Sequence, residues 1–307
     1  MTMSAPAAPR RRPSLARRAL VTATGVLVLG GLGAGAWWAS EAGHGPLLGP
    51  EVCLVITDDG AHHRLSPDRA AVAGVIAATA QERGLPPRAA TIGIATGIQE
   101  SGLRALDHGD QAGPDSRGVF QQRPSQGWGT QEEVMDPVYA ANAFFAALED
   151  IAPDYQDMAV TEAAQAVQRS AYPDAYADHE VEARAWAAAL TGEWTEKLRC
   201  RLDTPGEADP EGFLAAAARQ HPSVAWSRPP EDSPSGRTVA VAGGTGGLDD
   251  AEARSLAAWS VVNADAHGVR TVETGDLVWE RSGGGGFVSR AEAGIDQTPV
   301  EGVRVTF

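Results

Sequence analysis

The residues Ala19–Trp38, ALVTATGVLVLGGLGAGAWW, contain no charged side chain, and five arginines precede them: Arg10, Arg11, Arg12, Arg17 and Arg18. About 20 apolar residues suffice to cross a bilayer. Basic residues on the near side keep that end cytoplasmic, and the pair Trp37-Trp38 suits the far interface. The competing reading is a cleaved signal peptide, with Ala34-Gly35-Ala36 as a small-residue cleavage site. The run is long for a signal core, which favours an anchor. Under both readings residues 41–307 leave the cytoplasm, as the body of a single-pass cell-membrane protein or as a secreted one.

That exported body is strongly acidic. The chain holds 25 basic and 40 acidic residues, and all five charges before residue 41 are arginines. A body carrying 20 cations against 40 anions repels phosphate backbones, so nucleic acid is excluded as a partner. The only cysteines, Cys53 and Cys200, flank the helix-rich part of the chain. In an oxidising exterior they are expected to form one disulfide. The hydrophobic content of the whole chain, 43%, supports a packed core.

The chain divides by composition. Residues 1–18 form a basic cytoplasmic segment, 19–40 the transmembrane or signal helix, and 41–52 a linker. Residues 53–202 read as a mainly α domain. Ser66 and Pro67 open one helix that Gly84 stops; PRAATIGIATGIQESG, from Pro87, is a second and largely apolar one. Asp136-Pro137 opens a third, Thr161 begins a fourth, and AYADHEVEARAWAAALTG runs to Gly192. Residues 203–248 are rich in linker chemistry. Residues 249–307 form a small α+β domain: a capped helix ending at Gly268, a hairpin about Thr274-Gly275, and a final strand in EGVRVTF. Its partner is not legible.

Glu100 is the anomaly. A carboxylate at the C-terminal end of an apolar helix meets the negative end of the helix dipole. Ile92, Ile94, Ala95 and Ile98 indicate burial on most sides, and Gly93 and Gly97 permit close approach to the backbone. Both effects raise a carboxyl pKa, which is what a general acid near neutral pH requires.

The segment GIQESGL followed by SRGVFQQRPSQGWG resembles the lytic transglycosylase and lysozyme-like superfamily. The likeness lies in Glu100-Ser101, then Gly118-Val119-Phe120-Gln121, then the helix DPVYAANAFFAAL and the segment AAQAVQRSAYPDAYADHE. It covers roughly residues 66–192. It implies a mainly α lysozyme-like domain that cleaves the β-1,4 bond between N-acetylmuramic acid and N-acetylglucosamine in peptidoglycan, with no cofactor and no metal. Glu100 would protonate the glycosidic oxygen and then serve as base, giving a 1,6-anhydro sugar. Ser101 and Gln121 would hold the acetamido group or the glycan, with Gln122, Arg123, Trp128 and Ser170 as further cleft residues. Many relatives carry Ala-Tyr-Asn-Ala-Gly in the third motif. Here Gln168–Pro173 stands at that point, and Tyr172 or Tyr176 replaces the tyrosine that meets the glutamate.

Two alternatives accompany this expectation. A hydrolytic mechanism would need a second carboxylate, for which Asp107, Asp110, Asp115 and Asp136 are candidates. A catalytically inactive lysozyme-like wall-binding or scaffold protein would keep the fold without the chemistry. The sole lysine, Lys197, has Trp194 three residues before it, which excludes a Ser-x-x-Lys nucleophile. The pair His62-His63 lacks the spacing of a metal-binding motif.

Overall fold

In the computed structural model the described residues are 51–307, except 112, 171–173, 229–238 and 243–246, with only the backbone of 239–242. The membrane or signal segment expected at 19–40 lies outside them, as does Tyr172. No helix among the described residues is long and apolar enough to cross a membrane. The fold is mixed α+β, largely helical with two small antiparallel sheets.

Helix α1 (Pro67–Glu82) begins at Ser66, whose backbone is extended as an N-cap requires. The Ser66 hydroxyl bonds Asp68 rather than a backbone amide. Helix α2 (Pro87–Ser101) is central, and every residue from Ala89 to Gly97 is buried. Its two glycines are contact points. A Cβ at Gly93 would stand 2.8 Å from Ile76 and 2.9 Å from the Phe145 ring, and one at Gly97 would stand 2.9 Å from Leu103. Short helix α3 (Gln131–Met135) carries a capping box between Thr130 and Glu133. Helix α4 (Pro137–Ile151) follows, with the Asp136 carboxylate accepting from the N–H groups of Val138 and Tyr139. Helices α5 (Val160–Gln168) and α6 (Glu180–Leu190) complete the set, and α2 packs against α1, α5 and α6.

A three-stranded sheet in the order β2-β1-β3 joins the two ends of this helical block. Strands β1 (Val52–Ile56), β2 (His62–Leu65) and β3 (Leu198–Arg201) pair antiparallel, with Cys53 directly opposite Cys200. The two cysteines are joined in the expected disulfide.

The segment read as linker-rich holds helix α7 (Pro210–Gln220), capped by Asp209, and strands β4 (Trp226–Ser227) and β5 (Val239–Ala242). After helices α8 (Asp250–Val262) and α9 (Ala264–His267) come strands β6 (Thr271–Gly275), β7 (Leu277–Glu280), β8 (Phe287–Ser289) and β9 (Val300–Thr306). With β4 and β5 they make a six-stranded sheet in the order β4-β5-β9-β6-β7-β8. The β6–β7 hairpin and the β9 strand fall where the sequence placed them.

Glu51–Phe307 forms one compact unit. Helix α8 lies on β6 and β9 with one side and on α1 and α6 with another. The Ser255 hydroxyl lies 2.7 Å from both Gln81 Oε1 and the Leu190 carbonyl. Trp259 donates to Gln220 and packs with Phe213 and Trp226. The strong patterning of 53–202 and 249–307 therefore reads as two halves of one packed body.

Candidate active site

The C-terminal end of α2 is closed by two successive left-handed residues, Gly102 at φ +61° and Leu103 at φ +58°. Their N–H groups bond the carbonyls of Ile98 and Gly97, which satisfies the helix end as a glycine cap does. Leu103 is thereby folded back into the core against Gly97. The turn leaves Glu100 half-buried in the wall of a cleft of about 830 Å³.

Burial pushes the Glu100 carboxyl above its ordinary value. Hydrogen bonds from Tyr176 and Gln168 oppose the shift, while the nearby charge of Asp110 adds to it. The Tyr176 hydroxyl donates to Glu100 Oε1 at 2.6 Å. Tyr176 itself is fully buried, on a 3₁₀ turn at Ala175–His179. Burial and the adjacent Glu100 push its hydroxyl pKa up, so it remains a donor, and it also bonds Ser170. Gln168, at the end of α5, donates to the Phe120 carbonyl at 2.8 Å. One glutamine amide thus touches both the acid and the loop opposite.

That loop is held by packing. Gly118 has φ +74°, and a Cβ there would stand 1.9 Å from the Val134 carbonyl oxygen, so no side chain fits. Val119 and Phe120 are buried, and Phe120 stacks on Phe144 with ring centroids 4.6 Å apart. The next residue, Gln121, is at φ +48°, an uncommon state for a residue with a side chain. Its amide bonds the Gly118 carbonyl at 3.2 Å and its side chain lines the cleft.

Of the residues expected from sequence, Glu100, Gln121, Gln122, Arg123, Trp128 and Ser170 line the cleft together. Tyr176 stands behind Glu100 rather than in the cleft. Ser101 does not reach the cleft. It is buried, with its hydroxyl 2.8 Å from the Val119 carbonyl and 3.1 Å from Gly97, and it accepts the Arg104 N–H. An i−4 back-bond of this kind holds a serine against its own helix, so Ser101 ties α2 to the loop instead of holding a ligand. Gln122 is 2% exposed; its side-chain N–H donates to the Ala140 carbonyl at 3.0 Å, while its Oε1 is buried without a partner among the described residues. Arg123 is paired with Asp115 at 2.8 Å.

The candidate second carboxylates separate cleanly. Asp115 also accepts from Ser125 and is held down to about 2. Asp136 caps α4 and pairs with Arg219. Asp107 is exposed beside His108. Asp110 alone of the four lines the cleft with Glu100, and it accepts the Gly113 N–H at 2.8 Å.

Among the cleft residues that the sequence did not single out are Gln99, Gln168 and Arg169. Gln99 meets His179 at 2.9 Å. The legible signal was the polar run Gln168-Arg169-Ser170 closing an otherwise alanine-rich helix. The sequence matches no protein-family model, and no curated protein is significantly similar to it.

Proposed function

We propose that this chain is a peptidoglycan-cleaving enzyme of lysozyme-like type, a lytic transglycosylase, acting outside the cytoplasm with Glu100 as general acid and then base. The observation that carries the reading is a single carboxyl group, desolvated in a cleft wall at a helix C-terminus and oriented by a buried tyrosine 2.6 Å away. A carboxyl so placed keeps its proton to higher pH, ready to pass it to a leaving oxygen.

In this reading the Glu100 proton goes to the glycosidic oxygen as the C1–O bond breaks. The substrate's own acetamido oxygen closes on C1, sparing the protein a nucleophile. The Glu100 carboxylate then takes the proton of the muramoyl C6 hydroxyl, whose oxygen displaces the acetamido group and forms the anhydro ring. Gln121 and Trp128 supply the polar and flat surfaces a glycan needs. Tyr176 and Gln168 hold the acid.

The position of Asp110 in the same cleft supports a second reading, hydrolysis with a protein-supplied second carboxylate. Mass spectrometry of peptidoglycan digested by the protein, beside its Glu100→Gln variant, tests both. Anhydro-muropeptides from the unmodified protein alone are the expected result. Reducing ends that vanish with Asp110→Asn would transfer the reading to hydrolysis. Retention on the wall with no cleavage would leave a binding module and reject the enzyme.

A further inference from the structure

Arg169 occupies a position that local geometry reserves for glycine. It is the residue just past the end of α5, with φ +52° and ψ +39°, its N–H closing onto the Gln165 carbonyl. A left-handed residue at that point is ordinarily glycine, because a Cβ there is strained. Strain retained at one position within a site points to a use for the side chain that requires it.

That side chain is exposed and lines the cleft that holds Glu100. The contrast with the other cleft arginine is informative. Arg123 is held by Asp115. The Arg169 guanidinium has no ion-pair or hydrogen-bond partner among the described residues. Neither cleft carboxylate serves it: Asp110 accepts from Gly113 and Glu100 from Tyr176. A guanidinium that makes no such contact among the described residues is left available at the cleft surface. It suits an anion arriving from outside, since a guanidinium matches a carboxylate with two parallel hydrogen bonds. The same cleft is lined by Ile151, 41% exposed, which offers an apolar surface for methyl groups.

We propose that Arg169 selects the substrate by its charge, binding a carboxylate borne on the 3-O side chain of a muramoyl sugar. Two sources share that chemistry: the lactyl carboxylate of a bare glycan, and a carboxylate in the peptide attached to it. The assignment rests on the glycan reading of the cleft. It adds that a neutral glycan of equal length is discriminated against.

Calorimetric binding to the full-length chain, in a Glu100→Gln background that prevents turnover, tests it with three tetrasaccharides. These are chitotetraose, the alternating N-acetylglucosamine–N-acetylmuramic acid glycan without peptide, and the same glycan bearing L-alanyl-D-glutamate. One or both muramoyl ligands should bind about tenfold or more tighter than chitotetraose. Adding Arg169→Gln should erase that preference and leave chitotetraose affinity unchanged; Arg169→Lys should keep part of it. The muramoyl ligand that loses affinity identifies the carboxylate. Arg169→Gly should match or exceed the parent in Tm while also losing the preference, which separates lost charge from lost fold. A preference that survives Arg169→Gln, an equal loss for all three ligands, or a fall in Tm with Arg169→Gly would each overturn the assignment. Binding of none of the three to the parent would instead reject the glycan reading beneath it.

Discussion

Glu100 is held in an environment that disfavours its charged form, and this has a measurable thermodynamic sign. Its pKa is raised by burial above the ordinary 4.5, so the unfolded chain ionises first as pH rises. The folded state therefore loses stability from about pH 4.5 upward, until the pH passes the folded pKa, and the loss is complete above it. Glu100→Gln should accordingly be more stable than the parent at pH 7 and indistinguishable from it near pH 4, as read by thermal unfolding. The same substitution should lower the rate of glycan cleavage by roughly 10²–10⁴, the usual contribution of a positioned acid. A variant both tougher and inactive marks a group retained for chemistry.

Tyr176 makes a separable prediction. Its hydrogen bond favours ionised Glu100, so Tyr176→Phe should raise the glutamate pKa further. The alkaline limb of the pH–rate profile should move to higher pH, with kcat down about tenfold and KM little changed. A purely structural tyrosine would lower Tm without moving the profile. Neither residue's surroundings were fully legible in the sequence. Glu100 stood out because a charge at the end of an apolar helix is locally anomalous. Its partner lies 76 positions away on a short 3₁₀ turn with no periodic signature, so Tyr172 and Tyr176 could not be separated.

Among the elements, α2 and the Gly118–Gln121 loop act as one piece. Gly97 is the joint, where a Cβ would stand 2.9 Å from Leu103 and 3.2 Å from Val119. Gly97→Ala gains at most about 1 kcal/mol in helix propensity. It forces apart two buried side chains, a cost of roughly 1–3 kcal/mol. Leu103 cannot yield easily, being fully buried at φ +58°. Denaturant titration should show net destabilisation, and activity should fall more than stability explains, because Val119 carries Gln121 with it. Helices announced by a cap and a proline, as at Ser66-Pro67 and Asp136-Pro137, were readable because their signals lie within a few residues. The hairpin at Thr274-Gly275 was readable for the same reason. Strands β1, β2 and β3 were not, since VCLVI, HHRL and LRCR are too short to display a period, and β1 meets β3 only after the whole helical block has intervened. Helix α7 was masked by the proline-rich composition on both sides of it.

The whole molecule is closed by one covalent link. Cys53 and Cys200 are 147 positions apart, and closing a loop of that size contributes up to about 5 kcal/mol by restricting the unfolded chain. The paired substitution Cys53→Ser/Cys200→Ser should lower Tm by about 10 °C or more, with reduction of the parent having the same effect. Compositional breaks suggested a helical domain, a linker and a small α+β domain. Composition reports how segments differ, whereas the contacts of α8 with α1 and α6 depend on side chains far apart in sequence.

The same link decides how the protein bears load. A pull applied between residue 51 and residue 307 enters at β1, crosses the sulfur–sulfur bond to β3 and leaves through the C-terminal half. Residues 54–199, which include every residue lining the cleft, hang from that path as a slack loop. Tension along the chain reaches the cleft only through the packing around it, so Glu100 and Tyr176 can hold their spacing while the ends of the chain are under strain.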